Sequence, residues 1–214
     1  MDEFTDLPIF PLNVVMFPHA MIELHIFEER YKKMINDCIE KRNFFGINLF
    51  VNEKIFLAGC TAEITDVKRK SKTGEFDIVT KGLRRFEIMN YEMNSDEYFV
   101  GEVIFSKNSN LITDFNKFHD VVIKYNELTE IVYKGSINPI EPADSKWQGG
   151  EFSPSFLMAE KCGLNISERQ KLLEINNEDD RIFFMLNYFE EILPKLKDTD
   201  RIAKIIMSNG YIVQ

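Results

Sequence analysis

Ile22-Glu23-Leu24-His25-Ile26, followed at once by the run from Glu28 to Arg42, decides how the first half of this chain folds. In the first segment apolar and polar residues alternate, the period-two signature of a strand with one buried face. In the second, Tyr31, Met34, Ile35, Cys38 and Ile39 fall at i, i+3, i+4, i+7 and i+8, one stripe of an amphipathic helix. A strand that feeds directly into such a helix predicts a sheet with the helix lying against it.

The neighbouring segments extend the sheet. Phe44 to Phe50, Thr61 to Val67, Phe76 to Thr80, Phe86 to Tyr91 and Tyr98 to Phe105 all read as short strands. The polar run Lys-Ser-Lys-Thr-Gly-Glu at 70–75 makes a hairpin loop, so the pairing is expected to be mainly antiparallel. The glycine in Lys81-Gly82-Leu83-Arg84-Arg85-Phe86 signals a bend or bulge.

Beyond about residue 110 the period changes to that of helices. From Thr113 to Tyr133, Phe118, Val121, Val122, Tyr125, Leu128 and Val132 form one apolar stripe. A polar connector from Lys134 to Phe152 follows, with two prolines, three glycines and the only tryptophan. Ser153-Pro154 supplies an N-cap and a favoured first helical residue, with Gly163 as the stop. Ser167 is expected to cap the helix through Leu172 and Leu173. A further helix should begin near Asn177, be ended or kinked by Pro194, and give way to a last stretch from Thr199 to Met207. The expected division is therefore a β-rich part, 1–110, and a helical part, 111–214, with the connector 134–152 inside it.

Composition narrows the partners. A net charge of −9 disfavours phosphate backbones and anionic lipid, leaving protein or small-molecule partners. The 19 phenylalanines are spread through both parts, as core residues would be. Cys38, Cys60 and Cys162 are too few and too scattered for a disulfide framework, and point to a reducing compartment. The terminus Met1 to Asp6 is acidic where a secretory signal is basic, and no apolar run reaches the ~18 residues of a membrane helix. A cytoplasmic location without membrane contact is expected.

No reaction chemistry is legible. A Gly-rich phosphate loop and a Gly-x-Ser-x-Gly elbow are both missing. His19, His25 and His119 stand far apart, and no His or Cys pair has metal-ligand spacing. A zinc site from Cys38, Cys60 and His25, or a Cys60–His119 nucleophilic pair, would need the fold to converge them, and a cysteine in such patterns is more often a small buried hydrophobe. Carboxylates at Glu28-Glu29 and Glu178 to Asp180 suit the positive ends of helices. No enzyme activity, metal or cofactor is expected.

Six fragments occur in a fixed order: Leu7-Pro8-Ile9-Phe10-Pro11-Leu12, Val15-Met16-Phe17-Pro18, Ile26-Phe27-Glu28-Glu29-Arg30-Tyr31, Phe45-Gly46-Ile47, Gly59-Cys60-Thr61-Ala62-Glu63-Ile64 and Lys81 to Phe86. Together they resemble the amino-terminal substrate-binding domain of the Lon protease family. Ser167 to Glu174 is similar to that family's Gln-x-Leu-Leu-Glu helix, whereas the connector matches nothing in the resemblance. It implies an α+β fold: a PUA-like β pseudo-barrel with one packed helix, followed by an α-helical bundle. It also implies a binding role, in a stand-alone domain without the family's ATPase and Ser-Lys peptidase. Phe27, Tyr31 and Phe86 are then expected to supply core volume, and Arg30 or Arg85 to pair with Glu28 or Glu63.

The leading expectation is a non-catalytic module that binds unfolded or tagged polypeptides or acts as an adaptor for proteolysis. Trp147 and Phe152 are the candidate polypeptide-binding residues, because aromatic rings in a loop are costly to expose without use; the alternative is that both fold back over the core. A nucleic-acid-binding PUA-like domain is the second reading, with Lys68, Arg69, Lys70 and Lys72 on the phosphates.

Overall fold

The computed structural model describes residues 4–71, 73–106, 110–147 and 150–207, the last seven of these by their helical backbone alone. In chain order the elements are β1 (Thr5–Leu12), β2 (Met21–Ile26), α1 (Glu29–Lys41), β3 (Phe45–Val51), β4 (Lys54–Lys70), β5 (Phe76–Met93), β6 (Phe99–Phe105), α2 (Phe115–Tyr133), α3 (Pro154–Ala159), α4 (Ile166–Glu174) and α5 (Glu178–Met207). A 3-10 turn at Ser145–Trp147 lies in the connector. By their contacts these form two compact units, Met1–Asn108 with Leu164–Asn176, and Ser109–Gly163 with Asn177–Gln214.

The first unit is built on a six-stranded sheet in the order β2-β5-β4-β3-β1-β6, with a further β5–β6 pairing. Among the described residues only β1 and β3 run parallel; the other pairs are antiparallel. β5 accounts for the return of the pairings upon themselves, since it pairs with β4 from Phe76 to Glu87 while its other edge meets β2 over Phe76 to Lys81 and its later part, Phe86 to Met93, meets β6. The segments expected as separate strands at 76–80 and 86–91 are thus one strand that changes partner.

Gly82 stands where the register of β4 against β5 shifts. A Cβ there would lie 2.2 Å from the carbonyl oxygen of Phe17, and the Gly82 N–H donates to Ala20 O at 2.9 Å. Only glycine allows the strand to come this close to the turn after Phe17.

Alternation along β1 sorts its side chains between two cores. Phe10 joins Met16, Tyr31, Met34, Ile35, Cys38, Phe45 and Ile47, so the stripe of α1 is buried on that face as its spacing demands. Leu7 and Ile9 join Ile55, Phe86, Ile88 and Val103 on the other.

Helix α4 belongs to this first unit although the chain reaches it only after α2 and α3 of the second. Gln170 Nε2 donates to Ala58 O at 3.2 Å, and the Arg169 guanidinium lies 4.6 Å over the Phe17 ring. Arg85, 3% exposed, donates to Ile175 O at 2.5 Å and to Asn176 Oδ1 at 3.1 Å. The cap of α4 is Asn165, not Ser167: its side chain accepts from Glu168 N at 3.0 Å while Glu168 Oε2 accepts from Asn165 N at 2.8 Å. Asn165 and Glu168 satisfy the capping-box spacing two residues earlier in the chain.

In the second unit α2 packs against α5, with the Tyr125 and Phe189 rings 6.3 Å apart. Val132 lies outside the buried stripe, 47% exposed near the end of α2. The start of α5 carries a fully buried ion pair. Glu178 Oε2 accepts from Arg181 Nη2 at 2.6 Å and from Ser153 Oγ at 2.6 Å, and Oε1 accepts from Ser155 N at 2.8 Å. This carboxylate ties the start of α3 to α5, a role beyond the dipole complementarity expected of it. α5 continues through Pro194, which forfeits one backbone hydrogen bond without ending the helix.

Candidate functional site

The end of β1, the end of β2, the start of α1 and the turn after β3 converge around a cleft of about 520 Å³ in the first unit. Its floor is Phe10 and Tyr31, both buried, with ring centroids 4.2 Å apart. Phe27 and Phe50 line it and remain 60% and 39% exposed. Phe99 of β6 completes the apolar lining.

Backbone geometry explains the exposure of Phe27. Ile22, Leu24 and Ile26 face one side of β2, so alternation turns residue 27 away from them. Glu28, the N-cap of α1, is still extended at φ −72° and ψ 133°, so Phe27 is not drawn onto the helical stripe through Tyr31. The ring stacks on His25 at 5.8 Å. The expectation that Phe27 supplies core volume therefore fails, whereas Tyr31 and Phe86 are buried as expected.

Among the described residues most polar groups of the cleft have partners, Glu53 excepted. Arg30 donates from Nε and Nη2 to Glu28 Oε2 at 3.0 and 2.8 Å, and its guanidinium lies 4.6 Å over the Tyr31 ring. Burial is the main influence on the Tyr31 phenol and raises its pKa, with Arg30 opposing and Glu28 adding to the rise. His25 Nδ1 lies 2.6 Å from Asp77 Oδ1. Glu53, in the turn after β3 at φ 60°, has no ion pair among the described residues.

The residues singled out from sequence lie elsewhere. Trp147 is 2% exposed, donates from Nε1 to Glu141 O at 3.0 Å and packs edge-on against Phe118 at 6.2 Å. It is a core residue of the second unit, and its reading as a binding residue gives way, because its ring and its N–H are both satisfied internally. Phe152 is 37% exposed. Lys68 is bonded to Glu23, and Lys70 reaches Asn36 Oδ1 at 3.3 Å while lying 4.8 Å over the Phe76 ring. Arg69 stands opposite Asp77 in the β4–β5 register, and Lys72 lies outside the described residues.

Cys38, Cys60 and Cys162 are buried and form no disulfide. Burial pushes Cys60 up to about 12 and Cys38 to about 11, far from the range of a nucleophilic cysteine. Among the described residues no three His, Cys, Asp or Glu side chains group as metal ligands, and no helix is long and apolar enough to cross a membrane.

The cleft is lined by Phe10, Pro11 and Leu12 of the first fragment of the sequence resemblance and by Ile26, Phe27, Glu28, Arg30 and Tyr31 of the third. The model of the ATP-dependent protease La (LON) substrate-binding domain matches residues 6–189. The chain belongs to the LON substrate-binding domain family. The match includes the connector 134–152, which the sequence resemblance had left unassigned. The chain is 27% identical to a Lon protease of Flavobacterium johnsoniae over 203 residues, covering 89% of the chain and 24% of that protein. It is 25% identical to a Lon protease of Buchnera aphidicola subsp. Acyrthosiphon pisum over 216 residues, 92% of the chain and 26% of that protein. The chain thus spans about a quarter of the length of these relatives.

Among solved structures, a Lon N-terminal domain protein from Xanthomonas campestris is similar with a TM-score of 0.67 and 23% identity, over 86% of this chain and 98% of that one. The N-terminal domain of a Mycobacterium avium complex Lon protease gives 0.62 and 13%, over 87% and 98%. These likenesses establish the shared α+β fold of the LON substrate-binding domain.

Proposed function

We propose that the chain is a non-catalytic polypeptide-recognition module, and that the cleft beside Phe27 takes up apolar side chains of unfolded or tagged polypeptides. The observation that carries this reading is Phe27 itself: a phenylalanine 60% exposed at a cleft with a buried aromatic floor. Phe27 and Phe50 lie together at the edge of an apolar cleft, and a contiguous exposed apolar surface of this kind marks an interaction site where a lone exposed ring does not. The LON substrate-binding family supports a recognition role in general. Delivery of the captured polypeptide to a protease, in the reducing environment of the cytoplasm that three cysteines without a disulfide favour, completes the proposal.

Capture would be largely apolar and so tolerant of salt, whereas a nucleic-acid contact through Lys68 to Lys72 would weaken steeply with it. The test is fluorescence anisotropy of the purified protein with a labelled, permanently unfolded polypeptide and with a single-stranded RNA, each at low and high salt. Saturable, salt-tolerant polypeptide binding is expected. Binding of RNA alone, lost on adding salt, would overturn the proposal.

A further inference from the structure

The apolar cleft has an acidic neighbour. Asp6, Asn90, Tyr91, Glu92, Val100 and Glu102 line a second, smaller cleft of about 250 Å³ in the same unit. Resting on the polypeptide-capture reading, we infer that the preferred occupant is an extended segment with a large apolar side chain and, about four residues from it, a Lys or Arg.

The spacing comes from β1. Phe10 lines the first cleft and Asp6 the second, and residues i and i+4 of a strand share a face about 13 Å apart. The two linings also touch, since Tyr91 of the second packs edge-on against Phe99 of the first at 5.5 Å. An extended segment that seats an apolar side chain over Phe10 and Tyr31 therefore carries a residue about four positions along it to the carboxylates.

The charge comes from groups that the fold leaves uncompensated. Asp6 stands directly opposite Glu102 in the β1–β6 register, with Glu92 beside them opposite Val100. Like charges placed opposite one another across strands destabilise a sheet. All three carboxylates are exposed, and among the described residues none has an ion pair. Glu53 at the first cleft is likewise unpaired, while Arg30 is already neutralised by Glu28. The unmatched charges along the path are thus all negative. A basic side chain would relieve the Asp6–Glu102 opposition, whereas an RNA or an acidic peptide would worsen it.

The test uses the full chain and three labelled peptides with the same central Phe and Leu residues, flanked about four positions away by Lys, by Ser or by Glu. Each exposed ion pair contributes about a two- to fivefold change in affinity. The Lys peptide is expected to bind about tenfold more tightly than the Glu peptide at low salt, with the Ser peptide between and the gap closing at high salt. Replacing Glu92 and Glu102 together by Gln should close the same gap, leave the Ser peptide unchanged and raise the unfolding midpoint slightly. Equal affinity for the Lys and Ser peptides, or preference for Glu, would overturn the inference while leaving apolar capture intact. Binding of none of the three would remove the capture reading with it.

Discussion

Replacing Phe27 by Ala separates a binding residue from a structural one. A fully buried Phe loses ~3–5 kcal/mol on truncation to Ala. Because 60% of Phe27 is already in solvent, the area returned to water on unfolding is small, and the expected loss of stability is about 1 kcal/mol. If the ring anchors an apolar side chain of the bound polypeptide, its loss should cost at least ~2 kcal/mol of binding, about thirtyfold in Kd. Two measurements on one preparation decide between them: urea unfolding followed by far-ultraviolet circular dichroism, and anisotropy titration with labelled unfolded polypeptide. An unchanged midpoint with unchanged affinity would refute the role given to Phe27. A stability loss of several kcal/mol would refute the exposure on which that role rests.

Four further outcomes follow from the packing. Trp147→Phe should lower the stability of the second unit by about 1–3 kcal/mol through the lost hydrogen bond and lost volume, yet leave polypeptide affinity unchanged by titration. Arg181→Ala strands the fully buried Glu178 carboxylate and should cost about 3–5 kcal/mol, read in the fluorescence of Trp147, the single tryptophan, which lies in the same unit. Gly82→Ala pushes a methyl group against Phe17 O and should cost about 1–3 kcal/mol in denaturant unfolding. The folded state holds Cys60 and Cys38 as neutral thiols with raised pKa, so their contribution to stability is complete below pH 9 and lost as pH rises toward about 12. Unfolding midpoints measured across alkaline pH should fall in that window, and native thiols should resist alkylation at neutral pH until denaturant is added.

Short-range signals in the sequence were sufficient for most elements. The stripe through Tyr31, Met34, Ile35 and Cys38 became α1 because spacing alone fixes which side chains share a helical face. The Ser153-Pro154 start of α3 was equally plain, and Ser153 Oγ accepts from Phe156 N at 3.4 Å. What escaped notice depends on partners far away in sequence. Nothing near Ser167 announces that α4 docks on β4 through Gln170, and nothing in β5 announces that Arg85 will reach Ile175.

The candidate site shows the same limit. Alternation told which way Ile26 faced but not whether the opposite side, with Phe27, would be covered. Trp147 looked available because its neighbours are loop-forming residues, yet one hydrogen bond to Glu141 O and the Phe118 ring suffice to hold it inside. Exposure of an aromatic residue is a property of the packed structure, and local sequence pattern constrains it weakly.

Backbone hydrogen exchange of the full chain, with and without saturating unfolded polypeptide, tests the central claim most directly. Slowed exchange is expected around Phe10 to Leu12, Ile26 to Tyr31 and Phe50 to Glu53, with the connector near Trp147 unaffected. Protection confined to the β4–β5 hairpin or to the second unit, with the cleft unchanged, would contradict it.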